Sequence, residues 1–164
     1  MKTAILATAF LASLAITSPA IADETAWKEI SGLAFGTIDN DESGAVTPGE
    51  FSSFGDDVFL SMDGDESGSL SLAEFYNWGF GMHEAAKDAG QTKAFKTAMR
   101  VVFALWDRNG DEQVTVEEYR QSIGFEFMRA DVDQDRRLSE PEYLSGFSVV
   151  VAAHSAINPQ STDN

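Results

Sequence analysis

Apolar residues in this chain come in short helical stripes, separated by four polar stretches of equal length. Trp27, Ile30, Leu33, Ala34 and Ile38 share one side of a helix drawn over residues 24–38, although Gly32 and Gly36 weaken it. Phe51, Phe54, Val58, Phe59 and Met62 form a second stripe. Phe95, Ala98, Met99, Val102, Phe103 and Trp106 form a third, on a helix from about Thr92 to Trp106. Tyr119, Ile123 and Phe127 repeat at i, i+4 and i+8, and Tyr143, Phe147, Val150 and Val151 share a face of a last helix from Glu142 to about His154. Between Glu74 and Asp107 there is room for an exit helix to about Gly81, a turn at 88–90 and the helix entering at Thr92. The pattern predicts an all-α fold.

The polar stretches are Asp39–Glu50 (DNDESGAVTPGE), Asp63–Glu74 (DGDESGSLSLAE), Asp107–Glu118 (DRNGDEQVTVEE) and Asp131–Glu142 (DVDQDRRLSEPE). Each opens on Asp, carries oxygen-bearing side chains at its third and fifth positions, and closes on Glu. Phe35, Phe59, Phe103 and Phe127 each lie four residues ahead of one stretch, and Phe51, Phe75, Tyr119 and Tyr143 each follow its closing Glu. The eighth residue is aliphatic every time: Val46, Leu70, Val114 and Leu138. An acidic solvated surface with scattered turns has no reason to repeat all three features. The stretches begin at 39, 63, 107 and 131, so the first pair recurs as the second after 68 residues. Carboxylates at alternate positions of a bending loop can converge on one hard cation, which takes six to eight oxygens.

In these slots the stretches resemble the loops of the EF-hand superfamily. The resemblance implies four EF-hands in two duplicated halves, with short β-bridges between paired loops. It implies metal ligands in loop 1 from Asp39, Asp41, Ser43, the Ala45 carbonyl, Thr47 and Glu50, and in loop 2 from Asp63, Asp65, Ser67, Ser69, Ser71 and Glu74. In loop 3 they are Asp107, Asn109, Asp111, the Gln113 carbonyl, Thr115 and Glu118, and in loop 4 Asp131, Asp133, Asp135, the Arg137 carbonyl, Ser139 and Glu142. Two loops depart from the family pattern, with Glu112 and Arg136 where the turn at position 6 wants glycine. A side chain held at positive φ costs roughly 1–2 kcal/mol. Weighed against carboxylate count, that strain leaves loop 3 as the weakest site, with loop 4 near loops 1 and 2.

Only twelve residues separate Glu50 from Asp63, and again Glu118 from Asp131. This spacing resembles the layout of the lanmodulin family, exported bacterial four-EF-hand proteins that bind lanthanides. The likeness stops at layout: that family's proline at position 2 is here Asn40, Gly64, Arg108 or Val132, and its extra acid at position 9 is Thr47, Ser71, Thr115 or Ser139. The resemblances imply up to four Ca2+ ions, with a lanthanide or other hard cation as the alternative. One shared helix of about 12 residues is roughly 18 Å long and holds its two loops at opposite ends. Loop 1 is therefore expected to pair with loop 4 and loop 2 with loop 3. The other pairing, 1 with 2 and 3 with 4, requires the shared helix to break, and Gly55 is its weakest point.

Charge narrows the partners. The 164 residues carry 27 acidic and 11 basic side chains, a formal charge of −16. Residues 1–22, with Lys2, an apolar run from Ala4 to Ile16 and small residues at Ala20 and Ala22, read as a cleaved secretory signal. Without Lys2, 10 basic residues face 27 acids, a charge of −17 that four divalent ions would bring to −9. Such a chain repels nucleic acid and anionic membrane surfaces, and no second apolar run is long enough to span a bilayer. The expected location is the periplasm or the secreted medium, the folded domain residues 23–154, and the tail 155–164 flexible. There is no cysteine, which excludes disulfides, thiol nucleophiles and Cys-ligated zinc. His83 and His154 are the two histidines, no Ser-His-Asp or P-loop pattern occurs, and a non-enzymatic role follows. Met62, Met82, Met99 and Met128 with Trp78 and Phe80 either offer an apolar surface to a protein target or fill the core.

Overall fold

The computed structural model describes residues 32–78 and 81–159. The expected signal segment, the first part of the entering helix, Phe80 and residues 160–164 lie outside them. The described chain is mostly helical with one small antiparallel sheet. A helix whose described part is 32–38 (α1) leads to loop 1, and α2 (Pro48–Met62) joins loop 1 to loop 2. Strand β1 (Ser69–Ser71) ends loop 2 and passes into α3 (Leu72–Asn77), followed by α4 (Met82–Asp88) and α5 (Thr92–Trp106). Strand β2 (Gln113–Thr115) ends loop 3, α6 (Val116–Ala130) joins loops 3 and 4, and α7 (Glu140–Gly146) and α8 (Ser148–Ile157) complete the chain.

The loops pair in the nested order. β1 runs antiparallel to β2 with Leu70 opposite Val114, and Val46 bridges Leu138 through two N–H to carbonyl bonds of 2.8 Å. All four of these aliphatic residues are fully buried. The aromatic residues flanking the loops explain why this order holds. Phe35 meets Tyr143 at 5.9 Å between ring centroids and Phe51 meets Phe127 at 5.6 Å, both across loops 1 and 4. Phe59 meets Tyr119 at 5.2 Å and Phe75 meets Phe103 at 5.8 Å, both across loops 2 and 3. Each such ring, once buried, contributes on the order of 1.5–3 kcal/mol relative to exposure, and offset or edge contacts add to that.

α2 and α6, 15 residues each and about 22 Å long, span the molecule between the two loop pairs and pack on each other. Gly55 does not break α2. It is the point of close approach, where a Cβ would sit 3.2 Å from Ile123 Cγ2 on α6.

Two expected helices depart from their expected course. The exit helix after loop 2 stops at Asn77 rather than near Gly81, because Trp78 takes an extended conformation with its indole N–H donated to Ser61 Oγ at 2.7 Å. The last helix is two helices, interrupted at Phe147 (φ −74°, ψ 119°). Arg129 Nη2 fixes that break by donating to Gly146 O, Ser148 Oγ and the Glu126 carboxylate, each at 2.6 Å. Glu126, itself buried, also accepts from Ser148 N at 2.9 Å and so caps α8. α8 then runs past the expected limit at 154 to Ile157, because Ala156 and Ile157 are buried in the core.

Met62, Met82 and Met99 are core residues rather than a binding surface, and Trp78 packs on the core from its edge; Met128 alone of those four methionines is exposed. No helix among the described residues is long and apolar enough to cross a membrane.

Candidate metal centres

Loop 1 shows how the sequence builds each site. Asp39, at the end of α1, turns its carboxylate inward, where Oδ1 accepts from Ser43 N at 3.0 Å and Oδ2 from Gly44 N at 2.8 Å. Asp41 Oδ1 accepts from the same Ser43 N at 3.1 Å. Ser43 Oγ donates to the Ala45 carbonyl at 2.9 Å, so two expected ligand oxygens already face the same space. Glu50 closes the loop from α2: Oε1 accepts from Asn40 N at 3.1 Å and Oε2 from Thr47 N at 2.8 Å. Carboxylate oxygens of Asp39, Asp41 and Glu50 thereby lie within 4.8 Å of one another.

Loop 2 repeats this nearly atom for atom. Asp63 accepts from Ser67 N and Gly68 N at 2.9 and 2.8 Å, Ser67 Oγ donates to Ser69 O at 2.9 Å, and Asp63, Asp65 and Glu74 converge. In loop 4, Asp131, Asp133 and Glu142 converge likewise. Asp135 stands apart from that triad, with Oδ1 accepting from Arg137 N at 2.8 Å.

Loop 3 brings no such triad together. Its third position is Asn109, whose amide donates to Asp111 Oδ2 at 3.1 Å, while Asp107 accepts from the amides of Gly110, Asp111 and Glu112. Glu118 still closes the loop, accepting from Arg108 N at 3.1 Å.

The backbone holds a second demand that the sequence reading missed. Glu112 (φ 67°) and Arg136 (φ 66°) are left-handed at the sixth position, as expected, beside Gly44 and Gly68 in loops 1 and 2. The fourth position is left-handed as well: Glu42 at 55°, Glu66 at 58°, Gly110 at 74° and Gln134 at 62°. Loops 1, 2 and 3 therefore each strain one side chain, and loop 4 strains two. Gly110 was the legible signal, a glycine displaced by two positions rather than lost.

Thr47, Ser71, Thr115 and Ser139, expected as ninth-position ligands, are the residues just before α2, α3, α6 and α7, and each hydroxyl donates to the Oε2 of its closing glutamate at 2.7–2.9 Å. In loops 1 to 3 the glutamate N–H returns a bond to the hydroxyl at 3.3 Å. This is the reciprocal capping box, readable from Ser/Thr followed three residues later by Glu. An ion at the ninth position competes with that cap.

Hydrogen bonds to the ionised form set the charge state. The Thr47, Ser71 and Thr115 backbone N–H groups hold Glu50, Glu74 and Glu118 below the usual carboxylate range, and the Ser139 hydroxyl does the same for Glu142. The Ser43 side chain lowers Asp41. One oxygen has no such partner: Asp131 Oδ1 is buried without a hydrogen bond. Its equivalents in loops 1 to 3 accept from the fifth-position N–H at 3.0, 2.9 and 3.2 Å, whereas Asp135 N turns to Asp133 at 3.1 Å. Convergent carboxylates around an unpartnered buried oxygen fit a hard cation, which supplies the missing charge and coordination at once.

No protein-family model, curated protein or solved structure matches the chain.

Proposed function

We propose that this protein binds calcium through four EF-hand loops in two duplicated halves, as a sensor or buffer in the periplasm or the secreted medium. The observation that carries the reading is the recurrence of one Asp, Asp, Glu triad, at the first, third and twelfth positions of three loops, with oxygens within 4.8 Å. The orphaned Asp131 oxygen supports it independently. The role is non-enzymatic: His83 stacks on Phe95 at 6.2 Å as a packing residue, and the clustered carboxylates are used by the ion sites.

Isothermal titration of the chelator-stripped mature chain with calcium is the test. Ion uptake by loops 1, 2 and 4, with loop 3 filling last, is the expected result, and absence of uptake at millimolar calcium overturns the reading. A lanthanide or other hard cation is the second reading, favoured by loop 4, where Asp131, Asp133 and Glu142 converge and one of their oxygens, Asp131 Oδ1, has no partner, an arrangement that would suit a higher charge. Competition of a lanthanide against calcium on the same sample decides between them.

A further inference from the structure

Eight large apolar side chains are exposed among the described residues, and six of them fall in the second half of the chain. Four of the six, Val101 (57% exposed), Leu105 (61%), Val132 (73%) and Val151 (37%), line one open groove of about 1040 Å3. Its walls are α5 and α8, which pack on each other, and one end is closed by Arg129 and Val132 where α6 enters loop 4. α5 presents Lys93, Thr97, Val101 and Leu105 to it at successive fourth positions, one continuous ridge. Small residues such as Ala98 and Ala152 set the floor low enough to admit side chains from outside.

Charge separates the groove from the rest of the molecule. The chain has 27 acidic residues, yet among the described residues no acid lines the groove, while Lys93 and Arg129 do. Asp131 and Asp133, on either side of Val132, turn into the loop 4 triad. Glu126 lies beneath Arg129 and is buried, so part of the guanidinium charge is already matched. Even so, Arg129 is held by Nη2 alone, in bonds to Gly146 O, Ser148 Oγ and Glu126. Its Nη1 and Nε have no acceptor among the described residues. From Lys93 to Leu105 is twelve residues, roughly 18 Å of helix.

We propose that this groove docks an amphipathic helix of another protein, about three turns long, with an apolar stripe along its middle and carboxylates near its ends to meet Lys93 and Arg129. A second copy of this chain would bring another formal charge of −16 against the first, and an anionic membrane would meet the same repulsion from the surrounding acidic surface.

The test uses two synthetic helical peptides of about 14 residues (roughly 21 Å as a helix), with leucines at i, i+3, i+4 and i+7. One carries glutamates at its ends and the other lysines. Each is titrated calorimetrically into the full mature chain, with calcium and with chelator, beside a calcium titration of the same sample. The glutamate peptide is expected to bind at micromolar Kd and the lysine peptide at least about tenfold more weakly. Leu105→Glu and Lys93→Glu, both at exposed positions, should each weaken the glutamate peptide about tenfold, and Leu60→Glu, exposed in the other half, should not. Equal binding of the two peptides, or binding of neither, overturns the proposal. So does concentration-dependent self-association abolished by Leu105→Glu, which would make a second copy the occupant. Failure of the calcium titration overturns the ion reading and leaves the peptide result to stand or fall separately.

Discussion

Loops 3 and 4 sit at the two ends of α6 and meet the same backbone demand by different means. Loop 3 places Gly110 at one of its two left-handed positions and strains Glu112 at the other, whereas loop 4 strains both Gln134 and Arg136. Loop 3 satisfies its acids internally, through the Asn109 amide and three backbone N–H groups on Asp107. Loop 4 gathers Asp131, Asp133 and Glu142 and leaves a buried oxygen without a partner. The pairing repeats the contrast: loop 3 joins loop 2 through two three-residue strands, while loop 4 meets loop 1 at a single bridge. Internal satisfaction makes loop 3 self-supporting. Loop 4 keeps a buried acceptor unpaired, which costs free energy, and on the proposed reading a bound cation would offset that cost.

Ion loading is the largest expected effect. Calcium at about 100 times Kd adds roughly 2.7 kcal/mol of stability per occupied site, so far-UV circular dichroism and melting should shift upward on adding calcium to the stripped chain. Glu142→Gln should remove one ion and that increment, and Glu118→Gln should change the total affinity least. Should Glu118→Gln instead abolish the tightest phase of the titration, the contrast between the loops is inverted.

The seat of loop 4 comes next. A Cβ at Gly146 would run into Ala130 Cα and Cβ, so α6 and α7 must separate to admit a side chain. Gly146→Val should lower stability by about 3 kcal/mol and weaken ion uptake at loop 4 more than at loop 3. Equal stability of variant and parent in urea melts would show that α7 is not fixed against α6.

Strain sharpens the comparison on a smaller scale. Gln134→Gly and Arg136→Gly should each raise metal-free stability by about 1 kcal/mol, whereas Gly110→Ala should lower it by about 1–2 kcal/mol. A loss on either glycine substitution in loop 4 would mean that those side chains are held by contacts outweighing their φ.

The smallest effect is in acid. All four closing glutamates are held below their ordinary value by bonds to Thr47, Ser71, Thr115 and Ser139. Their folded pKa values are depressed, so the stability they contribute is present above the unfolded value. It is lost as pH falls through the folded values, that is, below the usual carboxylate range. Helix content of the metal-free chain should fray in that window at the starts of α2, α3, α6 and α7, and Thr115→Ala should shift the onset upward. An onset unmoved by that change would detach the caps from the acid transition.

Much of this molecule was legible in the residues themselves. Apolar stripes at helical spacing located α2, α5 and α6, and α5 runs from Thr92 to Trp106 as expected. Acids at alternate positions and a closing Glu located the loops, and the length of the shared helix implied nested pairing, which the Val46 to Leu138 and Leu70 to Val114 contacts bear out. These features are local: each depends on side-chain period or on turn chemistry within about a dozen residues.

What only the tertiary structure decided depends on residues far apart in the chain. The end of α7 is set by Arg129 and Glu126 on α6, 17 to 22 residues away. The exposed flank of α5 follows from where α8 lies, and the sorting of methionines into core or surface follows from which helix faces each of them. The paired rings came from opposite halves of the sequence, and no local pattern can say which Phe will meet which Tyr. Periodicity fixes the face that a helix must bury, but the partner that buries it is chosen by packing all the faces at once.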